Sequence, residues 1–181
     1  RGMVDDHVII KTSEDWTVNG RTMTAGALVS VERTQFSGGS MSPVVLFQPS
    51  ATQSLHAVAV TRTRVVAFIL DNVRSRVMTF TMGAKGWTSS PVPMQDNASI
   101  DPVTWTDRSD DLYINVTSFI TPSTLWSVNA VTGKATQVKA APARFDASNA
   151  MVEQFEATSP DGTRVPYFIV HRKDIPLDGS T

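Results

Sequence analysis

The sequence predicts an all-β chain built as about three four-stranded blades of a β-propeller. Three observations carry this. Short runs rich in Val, Thr and Ile recur along the chain, separated by Gly, Pro, Asn, Asp and Ser; β-branched residues suit a pleated, half-buried backbone, and regular short strands with turns between them mark all-β folds. Amphipathic helical patterning is missing: residues 140–152 are the one candidate stretch, and Pro142 lies inside it, where it would break a helix. The third observation is a repeat. Four-strand groups recur with a period of about 46 residues, within the roughly 40–50 residues of a propeller blade. A sandwich needs no such period. The WD and kelch signatures are absent.

The strands follow in order. His7–Lys11, residues 27–33 and residues 44–49 fit places two, three and four of a first blade whose first strand is missing. The second blade reads as residues 57–61, a polar turn at Thr61-Arg62-Thr63-Arg64, residues 65–70, residues 76–81, a glycine turn at Gly83-Ala84-Lys85-Gly86, and an outer strand ending in Pro91-Val92-Pro93. The third repeats the pattern with residues 103–106, the turn Asp107-Arg108-Ser109-Asp110-Asp111, residues 112–116, residues 124–128, the turn Thr132-Gly133-Lys134, and residues 138–142. Arg62, Arg64, Asp107, Asp110 and Asp111 fall in turns, and Arg74 and Arg76 flank a strand; all are expected on a solvated surface. After Pro142 the pattern changes. Residues 143–150 read as a linker, and residues 152–158 alternate apolar and polar. Ser159-Pro160-Asp161-Gly162-Thr163 is strong turn chemistry, with Pro pre-set for the turn and Gly free to take positive φ. Residues 164–170 return as a second strand. This hairpin does not fit the blade frame, so a new unit is expected to start near residue 150.

The chain has 181 residues, 41% hydrophobic and 18% charged, too apolar and too near neutral for a disordered segment. Sixteen Lys and Arg face 17 Asp and Glu for a net charge of −1, so the basic footprint of a nucleic-acid binder is missing. No apolar run approaches the ~18 residues of a membrane-spanning helix. There is no cysteine, which removes disulfides, thiol catalysis, Cys-ligated zinc and iron–sulfur clusters. The start, Arg1-Gly2-Met3, and the end, on the turn chemistry of Leu177-Asp178-Gly179-Ser180-Thr181, both look cut; a piece of a longer protein is expected.

Motif by motif, the chain yields no active site. A nucleophilic serine needs Gly-x-Ser-x-Gly on a turn between strand and helix. The nearest match, Gly38-Gly39-Ser40-Met41-Ser42, ends in Ser and leads to a strand; it reads as a flexible inter-strand loop. His7, His56 and His171 are far apart, none with a second ligand at i+2 to i+4, whereas a metal site needs at least three donors together. Asp5-Asp6 and Asp110-Asp111 sit in turns, which do not drive two carboxyl pKa values apart. Gly83-Ala84-Lys85-Gly86 is too short for a phosphate loop and precedes no helix. Asn97-Ala98-Ser99 and Asn115-Val116-Thr117 match the glycosylation triplet, which chance alone often supplies. Trp16, Trp87, Trp105 and Trp126 are expected to fill space between neighbouring blades rather than form a binding platform.

One set of motifs carries a resemblance. Arg144-Phe145-Asp146, Val152-Glu153-Gln154-Phe155-Glu156-Ala157-Thr158-Ser159, Asp161-Gly162-Thr163-Arg164-Val165-Pro166-Tyr167-Phe168-Ile169-Val170 and Asp178-Gly179-Ser180 together resemble the run that links propeller to α/β-hydrolase domain in the prolyl oligopeptidase family of serine peptidases. Upstream, Glu14-Asp15-Trp16, Leu70-Asp71-Asn72-Val73-Arg74 and Thr117-Ser118-Phe119-Ile120-Thr121-Pro122-Ser123-Thr124-Leu125 resemble the family's last blades. The resemblance implies a seven-bladed propeller that caps a hydrolase domain bearing a Ser-Asp-His triad and restricts access to short peptides. It implies that residues 1–142 are the carboxyl-terminal blades, 143–150 a linker and 151–181 the first strands of the peptidase domain. It further implies that every triad residue lies beyond residue 181. No catalytic, cofactor-binding or metal-binding residue is therefore assigned within the chain, which is expected to be inactive alone. Open blade faces and unpaired strand edges would favour self-association or marginal stability. The alternative from another class is a free-standing β-rich module that binds a protein partner.

Overall fold

The alternating β-branched runs fold into three four-stranded antiparallel sheets, each made of consecutive strands apart from one inserted hairpin, followed by a separate two-stranded hairpin. The computed structural model describes residues 2–176, 178 and 179; Arg1, Leu177, Ser180 and Thr181, which enter the expectations about the two ends and the resemblance run, lie outside the described residues. The first sheet contains β1 (Gly2–Val4) and β2 (His7–Lys11). A small hairpin of β3 (Trp16–Val18) and β4 (Arg21–Met23) intervenes before β5 (Leu28–Glu32). A short helix, α1 (Arg33–Gly38), then leads to the outer strand β6 (Val44–Phe47). The second sheet is β7 (Gln53–Val60), β8 (Val65–Asp71), β9 (Arg74–Gly83) and β10 (Gly86–Val92). The third is β11 (Ala98–Trp105), β12 (Asp111–Ser118), β13 (Thr124–Asn129) and β14 (Ala135–Ala140). The last pair is β15 (Ala150–Thr158) and β16 (Arg164–Arg172).

The cores lie between sheets, as blades stacked face to face require. Val65, Ala67 and Ile69 of β8 pack with Val4, Ile9 and Leu28 of the first sheet. The alternate residues Val66 and Phe68 pack with Ile100, Leu112 and Ile114 of the third. Successive strand side chains point to opposite faces, so a strand covered on both sides reads as an unbroken apolar run. That is why residues 65–70 show no polar alternation. First strands stand beside one another: a Cβ on Gly2 of β1 would lie 2.7 Å from Val60 Cβ of β7, and β7 in turn contacts β11. Pro91 and Pro102 occur in β10 and β11, edge strands of their sheets, where a missing N–H breaks no ladder.

The structure departs from the expected elements in particular places. The first blade has its first strand, β1, whose three residues are too few to show a period. The β3–β4 hairpin and α1 were not expected, and residues 140–152, the one helical candidate, hold no helix. The outer strand of the second sheet begins at Gly86 and ends just before Pro93. Trp87 and Trp126 do pack into the two inter-sheet cores, but Trp16 serves the small β3–β4 cluster and Trp105 is exposed. Asp110 is not on the surface: it is 5% exposed. Its carboxylate accepts hydrogen bonds from Thr61 Oγ1 at 2.8 Å, Thr63 N at 2.7 Å and Thr63 Oγ1 at 2.9 Å. A residue at a polar turn can be buried when a neighbouring blade's turn supplies the partners, and the third sheet is fastened to the second in this way.

Candidate functional site

The three histidines remain apart. His7 Nδ1 faces the Asp5 carbonyl at 2.7 Å, and its ring meets Trp87 edge-on at 5.8 Å. His56, on β7, places Nε2 2.8 Å from Asp101 Oδ1 on β11. Ser99 donates to the other Asp101 oxygen at 3.1 Å. Ser, His and Asp thus meet on adjacent first strands, but in the wrong order for a charge-relay triad. There the imidazole sits between acid and hydroxyl and takes the hydroxyl proton; here the carboxylate sits between the other two. Both His56 and Asp101 are nearly half exposed, and no further donor completes a metal cluster among the described residues. Asp6 pairs with Arg33 at 3.1 Å. Gly38 ends α1, Gly39 takes φ of 72°, and the chain passes through Ser40 to β6. That order, helix then strand, is the reverse of a nucleophile elbow.

A dense polar grouping lies where the β15–β16 hairpin meets the second and third sheets. The β8–β9 turn is two residues long, with Asn72 at φ 48° and Val73 at φ 62°. Positive φ at both positions matches the twist of antiparallel strands, yet a β-branched residue rarely adopts it. Neighbours hold the turn in place. Asn72 N donates to Thr52 O at 2.8 Å. Asn72 Nδ2 donates to Glu156 Oε1 at 2.9 Å, and Gln154 Nε2 donates to Asn72 O at 2.7 Å. Arg74 Nε donates to Gln154 Oε1, and Arg164 pairs with Glu156. Behind them Arg76 reaches Asp96 at 2.6 Å, with Arg74 at 3.9 Å. The Arg76 hydrogen bond and the charge of both arginines hold the Asp96 carboxyl below its ordinary pKa, against a smaller opposing effect of burial.

An apolar contact completes the joint. Phe119, in the β12–β13 connection, and Phe168 of β16 pack with ring centroids 5.3 Å apart. Beside them is a cavity of about 360 Å³ lined by Leu70, Val73, Asn97 and both phenylalanines among others. Asn97 Nδ2 donates to Val152 O at 3.1 Å. Its Oδ1 is buried without a partner, alone in this among the described residues. The sequence marked Asn97 only as a chance glycosylation triplet. Its contact to β15 crosses 55 positions, a separation at which local patterning carries no signal. By contrast, the motifs containing Asn72 and Gln154 were both singled out, and the structure brings them together.

A sequence model of the prolyl oligopeptidase N-terminal β-propeller domain matches residues 5–141. An uncharacterized peptidase of Sinorhizobium fredii is 37% identical over 99% of this chain and 25% of its own length. A prolyl endopeptidase of Elizabethkingia meningoseptica is 36% identical over 38% of the chain and 10% of that protein. Among solved structures, a post-proline cleaving enzyme from Rickettsia typhi superposes with a TM-score of 0.75 at 30% identity, covering 98% of this chain and 26% of that one. The chain spans about a quarter of the length of the curated relatives it matches along its whole course.

Proposed function

The chain belongs to the prolyl oligopeptidase family, and from that premise we propose that it works as part of a serine peptidase that cleaves short peptides. Residues 1–142 are then blades of the propeller that restricts substrate access, residues 143–150 a linker and residues 151–181 the opening strands of the catalytic domain. The triad belongs to parts of the polypeptide outside these residues.

The observation that carries the proposal is the unlike construction of the last hairpin. It is not hydrogen-bonded into any blade sheet, and one of its faces is apolar and uncovered. Val165, Tyr167 and Ile169 alternate along β16, with Phe155 directly opposite Tyr167 and stacked on it at 5.8 Å. All four side chains are about 40–50% exposed. Monomeric proteins seldom leave such a face bare. Further strands of a catalytic domain would cover it in the complete enzyme, and a second copy would cover it in the isolated chain, giving the self-association expected from the sequence.

The test is turnover of a fluorogenic proline peptide. The 181-residue chain alone is expected to release no product, while a polypeptide of the relatives' length is expected to release it and to be blocked by a serine-directed phosphonate. Phosphonate-sensitive turnover by the 181 residues overturns the assignment of the triad to other parts of the protein.

A further inference from the structure

We propose that the β8–β9 turn and the β15–β16 hairpin form a releasable latch, in which Gln154 and Glu156 grip the turn at Asn72 and Arg74 and so decide whether the hairpin lies on the blades or swings away. The consequence for peptide access rests on the function proposed above; the latch itself does not.

Four features support a releasable contact rather than a fused one. The hairpin shares no backbone ladder with any blade; the contacts described across the joint all involve side chains. It is reached through residues 141–149, which contain no strand or helix, so it can rotate without breaking a sheet. The polar contacts converge on one turn: Gln154 alone accepts from Arg74 and donates to Asn72 O, while Asn72 donates to Glu156. Finally, Val73 at φ 62° makes that turn a conformation a β-branched side chain resists; it persists only where its surroundings hold it. The outer contacts, Asn97 to Val152 O and Phe119 on Phe168, lie beside the turn and steady the docked position.

Removing the hydrogen bonds of Gln154 and of the Asn72 side chain is expected to shift the docked–undocked balance at least about tenfold. The chain has no cysteine, so two introduced thiols can be spin-labelled without background. Thr163→Cys at the hairpin tip and Lys85→Cys in the β9–β10 turn are both exposed. With the labelled chain diluted in excess unlabelled chain, which removes distances between copies, the label-to-label distance distribution is expected to be single and narrow in the parent, and to gain a second, longer population in Asn72→Gly/Gln154→Ala. Glycine at position 72 tolerates the positive φ, which removes the side chain without disturbing the turn. A parent distribution already broad, or a double variant identical to the parent, overturns the latch. Circular dichroism separates release from unfolding: blade melting is expected to stay unchanged, and its collapse in the double variant overturns the latch in favour of a purely structural contact. In a polypeptide of the relatives' length the same pair of substitutions is expected to speed cleavage of longer peptides. If the distances shift and cleavage does not, the latch stands and the access-gating function fails.

Discussion

β8–β9 and β15–β16 are both antiparallel hairpins closed by turns containing positive φ, yet they are stabilised by different means. Every residue of β8 from Val65 to Ile69 is buried, because sheets on both sides cover it. β16 is exposed or half-exposed along its whole length. A two-stranded hairpin alone is marginal in water, so β15–β16 depends on a few contacts at its rim, where β8–β9 depends on its two faces. Strand pairing sets the shape of both; face coverage makes one an interior and leaves the other able to move.

Truncating a face-covered residue breaks this contrast hardest. Phe68 is 1% exposed and packs among residues of the third sheet. Phe68→Ala is expected to cost about 4 kcal/mol through lost contacts and a residual cavity, seen as a lower urea midpoint for the blades. A loss under about 1 kcal/mol, the range of tolerated core swaps, would show that the inter-sheet core is not close-packed there.

Asp110 sharpens the comparison, since it joins blades through polar bonds within a buried setting. Asp110→Ala removes a carboxylate that satisfies two threonines and is expected to cost about 3 kcal/mol. Burial by itself would raise the Asp110 pKa. The Thr63 backbone N–H, the hydroxyls of Thr61 and Thr63, and the charge of Arg62 outweigh it, leaving the net value lowered. A lowered folded pKa gives stability that is present above the ordinary carboxyl value, about 3.9, and is lost as pH falls through the folded one. The parent's urea midpoint is therefore expected to fall toward that of Asp110→Ala as pH drops below the ordinary carboxyl range, while the variant's own midpoint depends less on pH there. Equal pH dependence in the two proteins would remove Asp110 from the acid response.

The contrast also explains what the sequence made legible. Strands buried on one or both faces announce themselves through β-branched runs, and each of the eleven expected blade strands and the hairpin has its counterpart in the structure. β1 and the β3–β4 hairpin, three residues per strand, are too short for periodicity to register. The burial of Asp110 escaped because its partners, Thr61 and Thr63, are 47 to 49 positions away. The joint was half legible: the motifs around Asn72 and Gln154 carried the family resemblance, but nothing local says that one grips the other across more than 80 positions.

The smallest expected effect lies at the base of the hairpin, where rim contacts act in place of faces. His171 Nε2 lies 2.7 Å from Glu153 Oε2, and Nδ1 lies 2.8 Å from the Arg172 carbonyl. Both partners are acceptors, so this geometry favours the imidazolium form, in which both ring nitrogens donate. The Glu153 hydrogen bond, then the carbonyl, raise the His171 pKa against the opposing effect of burial. A raised folded pKa contributes stability fully present below the ordinary histidine value, about 6.5, and lost as pH rises through the folded one. The hairpin base is therefore expected to loosen on the alkaline side while the blades, joined through Asp110, respond on the acid side. An NMR titration of the His171 ring is expected to show a midpoint above 6.5 that falls in Glu153→Gln, whose amide carries no charge to favour the imidazolium. A midpoint at or below 6.5 in the parent would mean that Glu153 does not hold the charged ring, and that the hairpin base has no pH response of its own to set against that of the blades.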